Sequence, residues 1–186
     1  KEEMRPRSHM ARSFCPEVVD VIINKKSARE IEEREVTVLY ADISGFTPMS
    51  ESLKPSEIVE LLNKFFELAT DIIFQYHGTL DKFIGDCVMG LFGVPLPLPD
   101  APDRAIAAAL EITEGLFLMN KDRAESTRLD LRIGINTGKA IVGDIGPINR
   151  LEYTVLGDPV NLASRLQSED ARPGQIVVGE STYQKT

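Results

Sequence analysis

The sequence predicts an α+β fold, a ferredoxin-like βαββαβ core with an additional hairpin strand and helix on a mainly antiparallel sheet. Three observations carry this. A β-branched, apolar run, Val36–Ala41, precedes a long stretch with apolar residues at helical spacing. Two short apolar runs joined by Gly85-Asp86 then read as a hairpin. A second helical stretch and a further strand complete the order of that core.

Taken in order, residues 1–13 are polar and basic without periodicity and read as a tail. From Pro16, Val18, Val19, Ile22 and Ile23 fall on one helical stripe. Asn24 to Glu35 is dense in charge and reads as a solvated linker. Residues 1–35 are therefore assigned to a tail and linker helix, and 36–186 to one domain. After the first strand, Ser44-Gly45 breaks the run. Pro55 opens a helix carrying Ile58, Leu61, Leu62, Phe65, Phe66, Ala69, Ile72, Ile73 and Tyr76, with Gly78 as its stop. Strands at Thr79–Ile84 and Cys87–Phe92 flank Gly85-Asp86, where glycine supplies the positive φ of a type II′ turn.

The Pro95–Pro99 segment is a stiff connector. A second helix follows from Asp100–Pro102, with Ala105, Ile106, Ala109, Ile112, Leu116 and Met119 on its apolar face. Leu129–Asn136 and Ala140–Ile145 read as a second hairpin around Thr137-Gly138-Lys139. A strand at Glu152–Leu156, a helix from Pro159 to about Glu169 and a strand at Ile176–Val178 finish the chain.

Composition narrows the function. Hydrophobic residues are 42% and charged residues 27%, enough for a packed core. The net charge of −8 lacks the basic footprint of a nucleic-acid binder. A polyphosphate ligand would need a metal cation to offset repulsion. The two cysteines, Cys15 and Cys87, show no metal-ligand spacing and read as reduced thiols. No apolar run approaches the ~20 residues that span a bilayer. The expectation is a cytoplasmic domain without membrane contact in this segment.

Two constellations carry chemistry. Asp42 ends the first strand and Asp86 sits in the hairpin turn, so both reach one sheet edge if those strands are neighbours. Two hard oxygen ligands beside a glycine-containing loop suit Mg²⁺ completed by phosphate oxygens and water. The loop Ile43-Ser44-Gly45-Phe46-Thr47 has backbone N–H groups for a phosphate. Against this, aspartates at strand ends commonly serve only their own backbone. Asn161 and Arg165 lie one helical turn apart on the helix after Pro159, an amide and a guanidinium on one face. Such a pair can orient a ribose and neutralise a phosphoryl transition state. An ordinary polar helix face is the alternative.

Four strings decide between these. DISGFT (Asp42–Thr47), DKFIGDCVMGLFG (Asp81–Gly93), LRIGINTGKAIVGDIG (Leu131–Gly146) and EYTVLGDPVNLASRLQ (Glu152–Gln167) resemble the class III nucleotide cyclases, in the family's order and approximate spacing. The similarity spans essentially Val36 to Gln184. The FxPEVV stretch at Phe14 resembles the helix that commonly precedes this domain and relays signals into it, so an upstream sensor domain is expected. The sequence stops soon after Tyr183, whereas members usually continue through one more strand segment with a phosphate-binding lysine, so the end reads as truncated or disordered.

The resemblance implies that Asp42 and Asp86 bind two Mg²⁺ or Mn²⁺ ions, with the carbonyl of Ile43 as a further ligand. It implies that Asn161 orients the ribose and Arg165 stabilises the pentavalent phosphorus. Lys82 aligns with the family's adenine-reading lysine, and Thr154 falls where many members carry an aspartate that accepts from the purine amino group. Arg132 is expected at the triphosphate, with Gly45, Phe46 and Thr47 beside it.

Lysine only donates, so Lys82 suits adenine N1 and not guanine N1–H. A threonine oxygen accepts from adenine's amino group. The expected reaction is ATP to 3′,5′-cyclic AMP and pyrophosphate. The threonine also resembles the bicarbonate-responsive subgroup, cyanobacterial and mammalian soluble types among them. Neither histidine, His9 in the tail or His77 at a helix end, is placed as a base, so deprotonation falls to solvent or substrate. In the family the aspartates and the Lys/Thr/Asn/Arg set come from different domains. One chain carrying both sets implies a homodimer with shared sites.

The alternatives are a guanylyl cyclase and a catalytically inactive dimerisation module. An RNA-binding domain lacks its aromatic pair here, and the GGDEF string of a diguanylate cyclase is absent.

Overall fold

The computed structural model describes residues 14, 18–19, 30–51, 53–147 and 152–186. The tail and most of the helix read from Pro16 lie outside the described residues, as does the linker up to Arg29. Phe14, Val18 and Val19 form a small buried cluster with Phe74, Leu96 and Tyr153 packed against it.

Among the described residues, six strands and five helices make a mostly antiparallel α+β fold. The order is β1 (Glu32–Ser44), α1 (Phe46–Ser50), α2 (Pro55–Gln75), β2 (Thr79–Ile84), β3 (Cys87–Phe92) and α3 (Ala101–Met119), then β4 (Asp130–Ile145), β5 (Glu152–Leu156), α4 (Asp158–Arg165), β6 (Gln175–Val178) and α5 (Glu180–Tyr183). The strands are ordered β2-β3-β1-β4-β5, and β6 pairs parallel with β4.

The central pairing is β1 with β4, from Glu32 opposite Val142 to Ser44 opposite Asp130. It starts the first strand at Glu32, four residues before the apolar run that begins at Val36, and it removes one expected turn. The first residues of β1 carry no apolar signal because ion pairs hold them, Lys139 to Glu33 at 3.7 Å and Lys185 to Glu35 at 2.7 Å. The second hairpin does not exist: β4 runs straight through Thr137-Gly138-Lys139. Gly138 is no turn residue but a point of close approach, since a Cβ there would lie 2.7 Å from Pro159 Cγ.

The first hairpin is as expected. Gly85 has φ 64° and Asp86 a negative φ, the combination a type II′ turn requires. The stop of α2 differs in detail. His77 takes the left-handed conformation at φ 59°, while His77 N–H donates to Phe74 O and Gly78 N–H to Ile73 O, a Schellman closure. Gly78 is needed for space, because a Cβ would sit 2.7 Å from the Phe92 ring.

Alternation along the strands creates two buried faces. Leu39, Ala41, Ile43, Val88, Phe92, Ile133 and Ile135 pack under α2 and α3, with Phe65, Ile73 and Ile112 fully buried. Each of the Leu, Ile, Val and Phe side chains contributes about 1.5–3 kcal/mol of transfer free energy. Val38, Tyr40, Met89, Leu91, Val142 and Val155 form the second cluster, with Ala163 of α4. The candidate site lies on that second face.

Candidate functional site

Register alone brings the two acidic positions together. Asp42 pairs with Cys87, the residue after Asp86, on one side and with Arg132 on the other. Arg132 donates from Nη2 to Asp42 Oδ2 at 2.5 Å, and Gln167 Nε2 donates to the same oxygen at 3.2 Å. Arg132 Nε is buried with no partner among the described residues, so the guanidinium retains an unspent donor. Burial pushes the Asp86 carboxyl up, and the negative charge of Asp42 pushes it further. The Cys87 thiol is driven to about 12, by burial first and then by Asp42 and Asp86. This corner concentrates negative charge on hard oxygen donors, the chemistry that Mg²⁺ or Mn²⁺ relieves.

Ile43 buries its side chain in the core, leaving only its backbone to the site. Gly45, at φ 70°, turns the chain directly into the five-residue α1. Phe46, Thr47 and their neighbours are thus the start of a short helix rather than the open loop the sequence suggests. Phe46 packs on the core, and the Thr47 carbonyl accepts from Ser50 Oγ.

A second group forms where β2 meets β5, although these stand at opposite ends of the strand order. A bulge in β2 between Leu80 and Lys82 leaves Asp81 without a register partner, so Asp81 and Lys82 can serve one site. Thr154 Oγ1 donates to Asp81 Oδ2 at 3.1 Å, and Lys82 Nζ lies 3.4 Å from that oxygen. Lys82 and Thr154, far apart in sequence, therefore converge on one carboxylate. Asp81 itself was not among the residues singled out from sequence. Neither was Gln167, which a π-type turn over Leu166–Asp170 brings under Asp42. Both sit inside the quoted strings, but neither the bulge nor the π-turn leaves a local sequence signal.

Asn161 and Arg165 stand apart from both groups. They share the exposed side of α4 while Ala163 faces the sheet. Their side chains make no hydrogen bond or ion pair to another described residue. The helix sits close because Gly134 is under it: a Cβ there would lie 2.4 Å from both Ala163 O and Gln167 N. Apolar side chains are exposed around these groups, Phe83 and Ile84 at the hairpin, Leu156 on β5 and Leu162 on α4.

Residues 29–186 match the model of the adenylate and guanylate cyclase catalytic domain. Adenylate cyclase 1 of Rhizobium meliloti is 35% identical over 147 residues, 78% of this chain and 22% of that protein. The chain spans about a third or less of the curated relatives it matches. The adenylyl cyclase CyaB from P. aeruginosa superposes with a TM-score of 0.80 at 35% identity, covering 84% of this chain and 82% of that one. The guanylyl cyclase Cya2 does so with 0.76 at 38%, covering 83% and 79%. The guanylate cyclase domain of RhGC from Catenaria anguillulae, 33% identical with a TM-score of 0.72, was solved in complex with GTP, and that of RhoGC from Blastocladiella emersonii, 31% identical with 0.76, as a non-canonical dimer.

Proposed function

The chain belongs to the family of adenylate and guanylate cyclase catalytic domains, and from that premise we propose that it converts ATP to 3′,5′-cyclic AMP and pyrophosphate at sites shared between two copies. The observation that carries the choice of ATP is the convergence of Lys82 and Thr154 on Asp81. A donor-only ammonium meets adenine N1, and a hydroxyl oxygen accepts from the adenine amino group.

In this reading the ribose 3′-hydroxyl attacks the α-phosphorus and pyrophosphate leaves. Asp42, Asp86 and the Ile43 carbonyl would hold the two Mg²⁺ or Mn²⁺ ions, which neutralise phosphate charge and acidify the attacking hydroxyl. Arg132, already paired with Asp42 and 31% exposed, would offer its remaining Nη donors to the triphosphate, beside the amides of Gly45, Phe46 and Thr47. Asn161 orients the ribose, and Arg165 meets the charge that accumulates on the phosphoryl oxygens, an effect worth several powers of ten in rate.

Asn161 and Arg165 are exposed and unpaired to other described residues, which supports a site completed by a second copy. The exposed Phe83, Ile84, Leu156 and Leu162 supply apolar surface for that contact. An upstream sensor domain, a cytoplasmic setting and a bicarbonate response belong to the same proposal. The threonine at 154 favours the last of these.

The test is turnover of ATP and of GTP with Mg²⁺ or Mn²⁺, with and without bicarbonate, with cyclic products separated by chromatography. Cyclic AMP as the main product supports the reading. A preference for GTP makes the chain a guanylyl cyclase, the reading favoured by its likeness to Cya2. No product with either nucleotide makes it an inactive module.

A further inference from the structure

Lys82 and Thr154 converge on Asp81, which has been given no role of its own, yet it stands between the two residues proposed to read the base. Its side chain is 0% exposed. One oxygen takes the Thr154 hydroxyl and faces Lys82, and the other, Oδ1, is buried with no hydrogen-bond partner among the described residues. Burial pushes this carboxyl upward, with Lys82 and Thr154 pulling it back. A buried carboxylate with an unsatisfied oxygen is a burden on the fold, and such groups are kept for a reason other than packing.

Resting on the ATP reading, we infer that Asp81 is the positioning residue that sets base selectivity, by fixing Thr154 as an acceptor and holding Lys82 beside it. A free threonine hydroxyl is ambivalent, because it offers lone pairs to adenine's amino group and a proton to guanine's O6. An ionised carboxylate can only accept. Donating to Asp81 commits the single Thr154 proton inward and leaves only lone pairs for the base. Adenine's amino group is then accepted, while O6 of guanine meets an oxygen that cannot donate. Asp81, fully enclosed, never touches the nucleotide; Thr154, 8% exposed, does. The β2 bulge is what lets one carboxylate serve both neighbours.

The experiment measures kcat/KM for ATP and GTP in the wild type, Asp81→Asn, Thr154→Val and the double variant. An asparagine amide can donate to Thr154 Oγ1 and turn the hydroxyl proton toward the base. The ATP preference therefore falls by about tenfold or more in Asp81→Asn. The loss does not add to that of Thr154→Val, because the two act as one unit.

Equal loss for both nucleotides in Asp81→Asn, with the ratio unchanged, overturns the inference and leaves the ATP reading standing. A wild type that prefers GTP, or makes no cyclic nucleotide, removes the ATP reading and this inference with it. Should Asp81→Asn fail to fold by circular dichroism, Thr154→Ser against Thr154→Val decides. Retention with serine and loss with valine supports the inference, and equal ratios overturn it.

Discussion

Replacing Gly134 by alanine tests whether α4 and the turn after it are held where the site needs them. A Cβ at 134 would lie 2.4 Å from Ala163 O, 2.4 Å from Gln167 N and 2.9 Å from Gln167 Cα. All three are backbone atoms, so no rotamer change relieves the overlap. The helix must move off β4 by about 1 Å to reach ordinary contact distance. Overpacking of this kind costs about 2–3 kcal/mol, less about 0.5–1 kcal/mol regained by restricting the unfolded chain.

A net loss of about 1–2.5 kcal/mol lowers Tm by about 3–8 °C in a domain of this size. The same movement draws Gln167 from Asp42, so turnover falls beyond what stability explains. Gly115→Ala is the control. Its Cβ would lie 2.7 Å from Leu68 Cδ1, but that is the far end of a flexible side chain. Alanine also improves helix propensity by about 1 kcal/mol. Thermal melts by circular dichroism decide. A Gly134→Ala protein as stable as wild type, or Gly115→Ala the more damaging change, refutes the reasoning.

Other outcomes follow from the same geometry. Cys87 is 8% exposed, with its thiol driven from 9.0 to about 12. Its thiolate fraction is thus roughly a thousandfold below that of an ordinary thiol. Iodoacetamide should leave it intact in the native protein and modify it on unfolding, read by peptide mass; rapid native labelling would contradict this. Asp81 has a folded pKa raised above its ordinary 3.8, so the folded state holds its proton more tightly than the unfolded chain. Its contribution is most favourable at low pH and declines as pH rises from 3.8 to the raised value. Asp81→Asn removes that decline, so its stability relative to wild type should improve between pH 4 and pH 7 in denaturant melts. A flat or opposite trend would show the carboxylate to be comfortably solvated. The hydroxyl chain from Thr37 through Thr137 to Thr182, at 2.9 and 3.0 Å, is fully enclosed. Thr137→Val strands both neighbours and should cost about 1–3 kcal/mol, measured by urea unfolding.

What the sequence made legible was what periodicity and turn chemistry encode. The long α2, the Gly85-Asp86 hairpin and the meeting of Asp42 with Asp86 all follow from local patterns plus one neighbour relation between strands. Thr137-Gly138-Lys139 misled because glycine marks both turns and close approaches, and only the position of Pro159 distinguishes them. Glu32–Glu35 looked like linker because a strand held by ion pairs carries no apolar alternation. Asp81 and Gln167 were hidden for a different reason. Each depends on a backbone irregularity, a bulge and a π-type turn, that tertiary packing imposes and no local residue choice announces.

The claim on which the rest depends is that each site is completed by a second copy of the chain. Asp42→Ala and Asn161→Ala proteins should each be inactive alone. Mixed in equal amounts with free exchange, half the dimers pair one of each, and each such dimer rebuilds one of its two sites. Cyclic AMP production should then recover to about a quarter of the wild-type rate. No recovery in a mixture shown to form mixed dimers would contradict the shared site.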